Sequence, residues 1–129
     1  MTDMKCEIGD IVLVNSYKYP DGTEGSYHNF VIAAIDEDEL TLVHMDYFGF
    51  IVSSRAAKGN DINKNFPYNE PINPDEVNRL PKRSHVKCDQ LISVKPDNII
   101  MKLGTVTIEQ YDRFIKLYEN SLSIETTIT

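Results

Sequence analysis

Apolar residues fall in short runs along most of the chain and take up a helical rhythm only near its end. Residues 11–14 are apolar throughout and follow Gly9-Asp10, the mark of a short buried strand. A second run, 30–35, stops at Asp36-Glu37-Asp38-Glu39, an acidic knot suited to a tight turn. Residues 40–45 return as a third strand to make a hairpin, and 50–54 read as a fourth after a turn near Tyr47 to Gly49. Further on, Val86, Cys88, Gln90, Ile92 and Val94 alternate with His85, Lys87, Asp89, Leu91 and Ser93, the period of two that marks a strand. A turn at Pro96-Asp97-Asn98 sets off a last strand over 99–103.

The helix announces itself at Thr107-Ile108-Glu109-Gln110. Thr107 is placed to accept from a free backbone N–H, and Gln110 to reach back to the Thr107 N–H, the reciprocal pattern of a capping box. Ile108, Tyr111, Ile115, Tyr118 and Leu122 then recur at steps of three and four, with Phe114 and Leu117 widening the stripe. Such a stripe is core or interface. Residues 123–129 continue no pattern and are expected to fray. Between 56 and 82 the chain is polar and carries Pro67, Pro71, Pro74 and Pro81, which argues against a continuous sheet and for a long loop: a lid, a binding loop or a disordered segment. Asn73-Pro74-Asp75-Glu76-Val77 offers one helical turn inside it. Many short strands and one late helix predict a mainly β fold: a small barrel, or a strongly curved sheet, capped by a helix and forming a single domain over 1–122.

Composition narrows the class. At 129 residues with 41% hydrophobic and 26% charged, the chain can bury a core without staples and is not disordered in character. No apolar run approaches the ~20 residues of a membrane span, and the N-terminus lacks the apolar segment of a secretory leader. Cys6 and Cys88 have no metal-type spacing and are expected reduced and structural, so the cytoplasm is the expected compartment. The formal net charge of −7 tells against a binder of bulk nucleic acid, which would carry a basic excess. The charge is uneven, however. Lys82, Arg83, His85 and Lys87 make a basic stretch that contrasts with the acidic knot. The three histidines, His28, His44 and His85, show no short ligand spacing, so no metal site is expected. The glycines make no phosphate-cradling loop, and no cofactor is expected either.

The order of segments resembles the PemK/MazF toxin family. The resemblance rests on Gly9-Asp10-Ile11-Val12-Leu13-Val14, then Gly22-Thr23-Glu24-Gly25, then His28-Asn29 before Phe30-Val31-Ile32. It continues with Ile51-Val52-Ser53-Ser54 and, most specifically, Ser84-His85-Val86-Lys87-Cys88-Asp89-Gln90-Leu91, and it covers most of the chain. It implies a small SH3-like β-barrel of the MazF/CcdB type with a C-terminal helix, paired into a homodimer. It also implies an endoribonuclease that cuts single-stranded RNA without metal, arrests growth and is neutralised by a cognate antitoxin peptide. In that chemistry the 2′-hydroxyl attacks the adjacent phosphorus. One group must take the 2′ proton, another must protonate the departing 5′ oxygen, and cations or donors must steady the phosphorane.

The resemblance places His28 and Ser53 as catalytic residues, with Ser54 as the alternative register for Ser53. Its loop glutamate is Glu24, and Arg55, Lys58, Arg83 and His85 are candidates for substrate contacts. The departure from the family pattern is at His28-Asn29, where the family carries Arg-Pro. Histidine exchanges protons near neutrality, but it lacks the permanent charge and bidentate fork of arginine. Three readings follow. His28 acts as acid or base while Arg55, Lys58 or Arg83 supplies phosphate charge; or the site is degenerate and the protein is a non-catalytic binding module; or His28 is an ordinary loop histidine. His28 and His85 could also pair as acid and base if the last block begins beside the first loop. No base partner for Ser53 follows from spacing, so its expected role is a hydrogen bond to phosphate and not nucleophilic attack.

Overall fold

A computed structural model describes residues 5–37, 45–54 and 67–128; for residues 37, 45 and 123–128 it describes the backbone alone. The strands are β1 (Asp10–Lys18), β2 (Glu24–Glu37), β3 (Met45–Ser53), β4 (Asn69–Ile72), β5 (Ser84–Lys87), β6 (Ile92–Val94) and β7 (Ile99–Thr105). A 3₁₀ turn over Pro96–Asn98 precedes β7, and helix α1 (Ile108–Ile128) ends the chain. They form one antiparallel seven-stranded sheet in the order β4-β5-β3-β2-β1-β7, with β6 also paired to β3.

The central strands are buried on both faces, which explains why their sequences read as continuous apolar runs. On one face Ile11, Val31, Phe50, Val52 and Val86 pack with Phe114 of α1, and Tyr111, Ile115 and Tyr118 lie against that core. On the other, Val12, Val14, Phe30, Ile32 and Ile51 pack with Ile92 and Val94 of β6 and with Tyr47. Each fully buried side chain of this size stabilises the fold by roughly 1.5–3 kcal/mol. The second core forms because the sheet curls until β6 comes up against β1. Among the described residues β4 and β7 remain edges, so the sheet is open: of the two expected forms, barrel or strongly curved sheet capped by a helix, it takes the second. The curl is closed by side-chain packing instead of a hydrogen-bonded seam.

The curvature has identifiable causes. The register of β2 on β3 shifts between Ile32 and Ala34, and that of β1 on β7 shifts twice. A bulge of this kind bends a strand and takes one residue out of the ladder. The Tyr111 hydroxyl donates to the Ala33 carbonyl at 2.6 Å, so α1 is tied to the sheet at the bulge. The turn expected near Tyr47 to Gly49 is part of β3. Gly49 marks a close approach there, since a Cβ on it would stand 2.8 Å from the Val31 carbonyl oxygen. The hairpin therefore pairs β2 with β3 out to Glu37 and Met45. Residues 40–44 of the expected third strand, and Asp38 and Glu39 of the acidic knot, lie outside the described residues; Asp36 and Glu37 belong to β2.

The single alternating strand expected over 85–94 is two. Val86 and Ser53's neighbour His85 pair β5 with one end of β3, while β6 pairs with Tyr47, Phe48 and Gly49 at the other. The chain turns at Cys88, whose N–H donates to the Tyr68 carbonyl at 3.1 Å. Both cysteines are buried free thiols, and burial, then Glu70 and Asp89, push the Cys88 thiol well above its ordinary range.

Part of the expected 56–82 loop is also sheet. β4 contains Pro71 and still pairs with β5, a place open to proline because β4 is an edge. The helical turn expected at 73–77 closes as a single turn, the Arg79 N–H donating to the Asp75 carbonyl at 3.0 Å. Fully buried Asn78 ties it down: its Oδ1 accepts from the N–H groups of Asp75 and Leu80, and its Nδ2 donates to the Asn73 carbonyl. This turn lies so close to β7 that a Cβ on Gly104 would strike the Val77 and Asn78 backbone.

The capping box forms as expected. The Thr107 N–H donates to Gln110 Oε1 at 2.9 Å and the Gln110 N–H to Thr107 Oγ1 at 3.1 Å. Ile108, counted in the apolar stripe, is 77% exposed because it sits at the helix mouth beyond the sheet. The α1 backbone continues to Ile128, past the point at which fraying was expected; residues 123–128 contain no Gly or Pro to end it, and each added residue gains a hydrogen bond. Among the described residues no helix is long and apolar enough to cross a membrane.

Candidate functional site

The β1–β2 hairpin builds one wall of the site. Its tip is a tight turn in which the Gly22 N–H donates to the Tyr19 carbonyl at 2.9 Å, with Gly22 at φ 91°. Five residues on, Tyr27 adopts the left-handed conformation at φ 44° and is 67% exposed. Pairing of β1 with β2 runs from Val14↔His28 to Ser16↔Ser26, with Tyr27 unpaired between them. Strict alternation would send Tyr17 to the face opposite Val14, yet it packs with Phe30 and His28. The change of side falls between Val14 and Tyr17, at the break in pairing opposite left-handed Tyr27.

Tyr17 is buried, and its hydroxyl lies 2.7 Å from His28 Nδ1 and 3.3 Å from the Tyr19 hydroxyl. Its ring stands edge-on to His28, with centroids 5.8 Å apart, and edge-on to Phe30 at 4.9 Å. Burial, with the Tyr19 contact second, pushes the Tyr17 phenol far above its usual range, so it stays protonated. His28 Nδ1 is also 3.2 Å from the Ser26 carbonyl oxygen.

Beside this wall lies a cleft of ≈ 580 Å³ lined by Leu13, Ser26, Tyr27, His28, Asn29, Val52, Ser53, Ser54, Pro81, Lys82 and Ser84. It gathers an imidazole, an ammonium, an amide, an exposed phenol and several hydroxyls, and among the described residues none that lines it is a carboxylate. In a chain of net charge −7, that is a local inversion of sign. The opposite wall is held by Ser84, whose Oγ donates to the Lys82 carbonyl at 3.0 Å, and by the Asn78 turn just before Pro81.

The sheet register decides which sequence candidates meet. Asn29↔Val52 and Ser53↔His85 are paired, so His28, Ser53 and His85 sit side by side on β2, β3 and β5. Strands are spaced ~4.8 Å apart, so the two histidine backbones are about 10 Å from each other. His28, Ser53 and Ser54 line the cleft; His85 does not. The expected acid–base pair of His28 with His85 is thus divided by Ser53. His85 is only 4% exposed, and its Nδ1 has no hydrogen-bond partner among the described residues. Burial, then the nearby Arg83, lowers its pKa, with Glu70 opposing. Exposed Arg83 is outside the cleft, as is Glu24, which opens β2 opposite Lys18. Arg55, Lys58 and His44 lie outside the described residues. Sequence reasoning missed Tyr17, Tyr27, Asn29 and, as a cleft cation, Lys82. Two of them had a signal: Lys82 as a member of the basic stretch, and Asn29 as part of the His28-Asn29 departure from the family pattern. Among the described residues no three His, Cys, Asp or Glu side chains cluster as metal ligands would.

An open, curled antiparallel sheet with a C-terminal helix and a cleft between its first hairpin and the segment before β5 defines a small β-plus-helix fold. Among solved structures the chain is similar to the Mycobacterium tuberculosis toxin MazF-mt6, with a TM-score of 0.59 at 15% sequence identity. The match covers 88% of this chain and 96% of that one, and the fold is MazF-like. No family model matches the sequence, and no curated protein does.

Proposed function

We propose that the protein is a metal-independent endoribonuclease, the toxin of a toxin–antitoxin pair, acting on single-stranded RNA in the cytoplasm. The observation that carries this reading is a cleft on a MazF-like fold with no carboxylate among its described lining residues, in which His28, Ser53 and Lys82 converge while the chain as a whole is acidic. A polyanion is drawn to such a cleft and repelled from the surrounding surface.

The reaction assigns each group a task. The 2′-oxygen forms a bond to phosphorus as its proton passes to His28. The bond from phosphorus to the 5′ oxygen breaks, and that oxygen takes a proton from solvent water. A cyclic phosphate and a 5′-hydroxyl remain. Lys82 supplies the cationic partner for the phosphate, and the hydroxyl of Ser53 or Ser54 donates to a non-bridging oxygen. Tyr27 offers an exposed ring for a base to stack on. The same reading gives the protein an antitoxin peptide and a second copy of itself as partners.

The test is incubation of purified protein with a long single-stranded RNA in EDTA, alongside His28→Ala and Ser53→Ala, with mapping of the ends produced. Cleavage that persists in EDTA and disappears in His28→Ala supports the reading. A second reading, a non-catalytic RNA- or protein-binding module, is favoured by His28 standing where the family resemblance implies arginine. Retained RNA binding with no cut at any enzyme concentration would select it.

A further inference from the structure

We propose that Tyr17 is a positioning residue for His28. Together with the Ser26 carbonyl it holds the proton of the neutral imidazole on Nδ1, which makes Nε2 the nitrogen that takes up a proton. The proposal rests on the acid–base role given to His28 above, but its geometry is independent of any substrate.

Two oxygens face Nδ1: the Ser26 carbonyl at 3.2 Å and the Tyr17 hydroxyl at 2.7 Å. A carbonyl oxygen can only accept, so a bare Nδ1 would set lone pair against lone pair. With the proton on Nδ1 both oxygens accept from it. The Tyr17 O–H is then turned toward the Tyr19 hydroxyl, which accepts it at 3.3 Å. A fixed acceptor on one ring nitrogen is the general means by which a protein chooses the tautomer of the other.

The placement of Tyr17 is built into the fold. Its ring occupies the space over its cross-strand partner Gly25, where a Cβ would run into the ring, and it braces on Phe30. Tyr17 comes to the His28 side across the break in pairing between Val14 and Ser16, which lies opposite left-handed Tyr27. Arginine at position 28 would need none of this, because it has no tautomer to select. When Nε2 takes the 2′ proton, Nδ1 keeps its own, and the two oxygen dipoles already point at the imidazolium that forms.

The experiment uses the full chain labelled with nitrogen-15. Long-range proton–nitrogen correlation spectra at about pH 8.5 show which imidazole nitrogen carries the proton in a neutral ring. His28→Gln identifies the His28 signals among those of the three histidines. The expected result is a protonated Nδ1 in the wild type and a shift toward protonated Nε2 in Tyr17→Phe, which keeps the ring packing. Gly25→Ala should shift the tautomer in the same direction by displacing the Tyr17 ring. In the RNA assay, Tyr17→Phe should lower kcat about tenfold with KM within about a factor of two. A wild-type His28 protonated on Nε2, or a tautomer unchanged in folded Tyr17→Phe, overturns the proposal. Should His28→Ala cut RNA as fast as wild type, the acid–base reading fails, and the tautomer spectra still decide the role of Tyr17.

Discussion

His28 and His85 stand on either side of Ser53 in one row across the sheet, and the molecule treats the two imidazoles in opposite ways. His28 is half-buried at the rim of a cleft, with two oxygens gathered around one ring nitrogen. His85 is sealed among strands, with a buried Nδ1 that meets no partner among the described residues. One is set up to exchange a proton, and the other is held neutral by burial. The same residue type, about 10 Å away by strand spacing, thus takes a different role because of what surrounds it.

The comparison is broken or sharpened by four measurements. His28→Ala should reduce RNA cleavage by about 100-fold or more, while its unfolding free energy changes by no more than about 1 kcal/mol, the worth of one exposed-rim hydrogen bond. An equal loss of cleavage in His85→Leu would erase the distinction between the two sites. Lys82→Ala should raise KM about tenfold and reduce the slope of log affinity against log salt by about 1, as expected for one phosphate contact. A salt slope unchanged in that variant would remove Lys82 from the cleft's chemistry. His85→Leu should hold or raise stability by about 1 kcal/mol in urea unfolding, because it replaces a buried unpaired nitrogen with an apolar group.

The smallest effect is in pH. The folded pKa of His85 lies below its ordinary 6.5, so the unfolded chain takes up a proton at higher pH than the native state does. The associated stability is present above that value and is lost as pH falls through the folded pKa. The unfolding free energy should therefore decline on acidification from about pH 7, and His85→Leu should remove that part of the decline. A wild-type curve flat across this interval would contradict the burial argument.

The second half of the chain shows how far pattern reading reaches. The capping box at Thr107 and Gln110 was legible because its partners are three residues apart, and local spacing is what a sequence displays. The alternation over 85–94 was equally regular, but it misled. Cys88 turns the chain toward Tyr68, and the reason lies in a strand, β4, hidden by Pro71 in a segment that reads as loop. Gly49 was read as a turn because glycine marks both turns and close backbone approaches, and only the position of the Val31 carbonyl tells them apart.

The sequence by itself determined the buried strands at 11–14 and 30–35, the terminal helix and its cap, and the choice of His28 and Ser53 as residues worth testing. These are consequences of short-range periodicity and of an ordered set of segments that resembles a known family. Only the tertiary structure decided that the sheet stays open, that His85 is shut away from the cleft, and that Lys82 faces it. The Tyr17 hydroxyl on His28 belongs with these. It depends on a left-handed residue, Tyr27, and a missing Cβ, at Gly25, two residues apart on β2, and no spacing along the chain encodes a contact made across the hairpin.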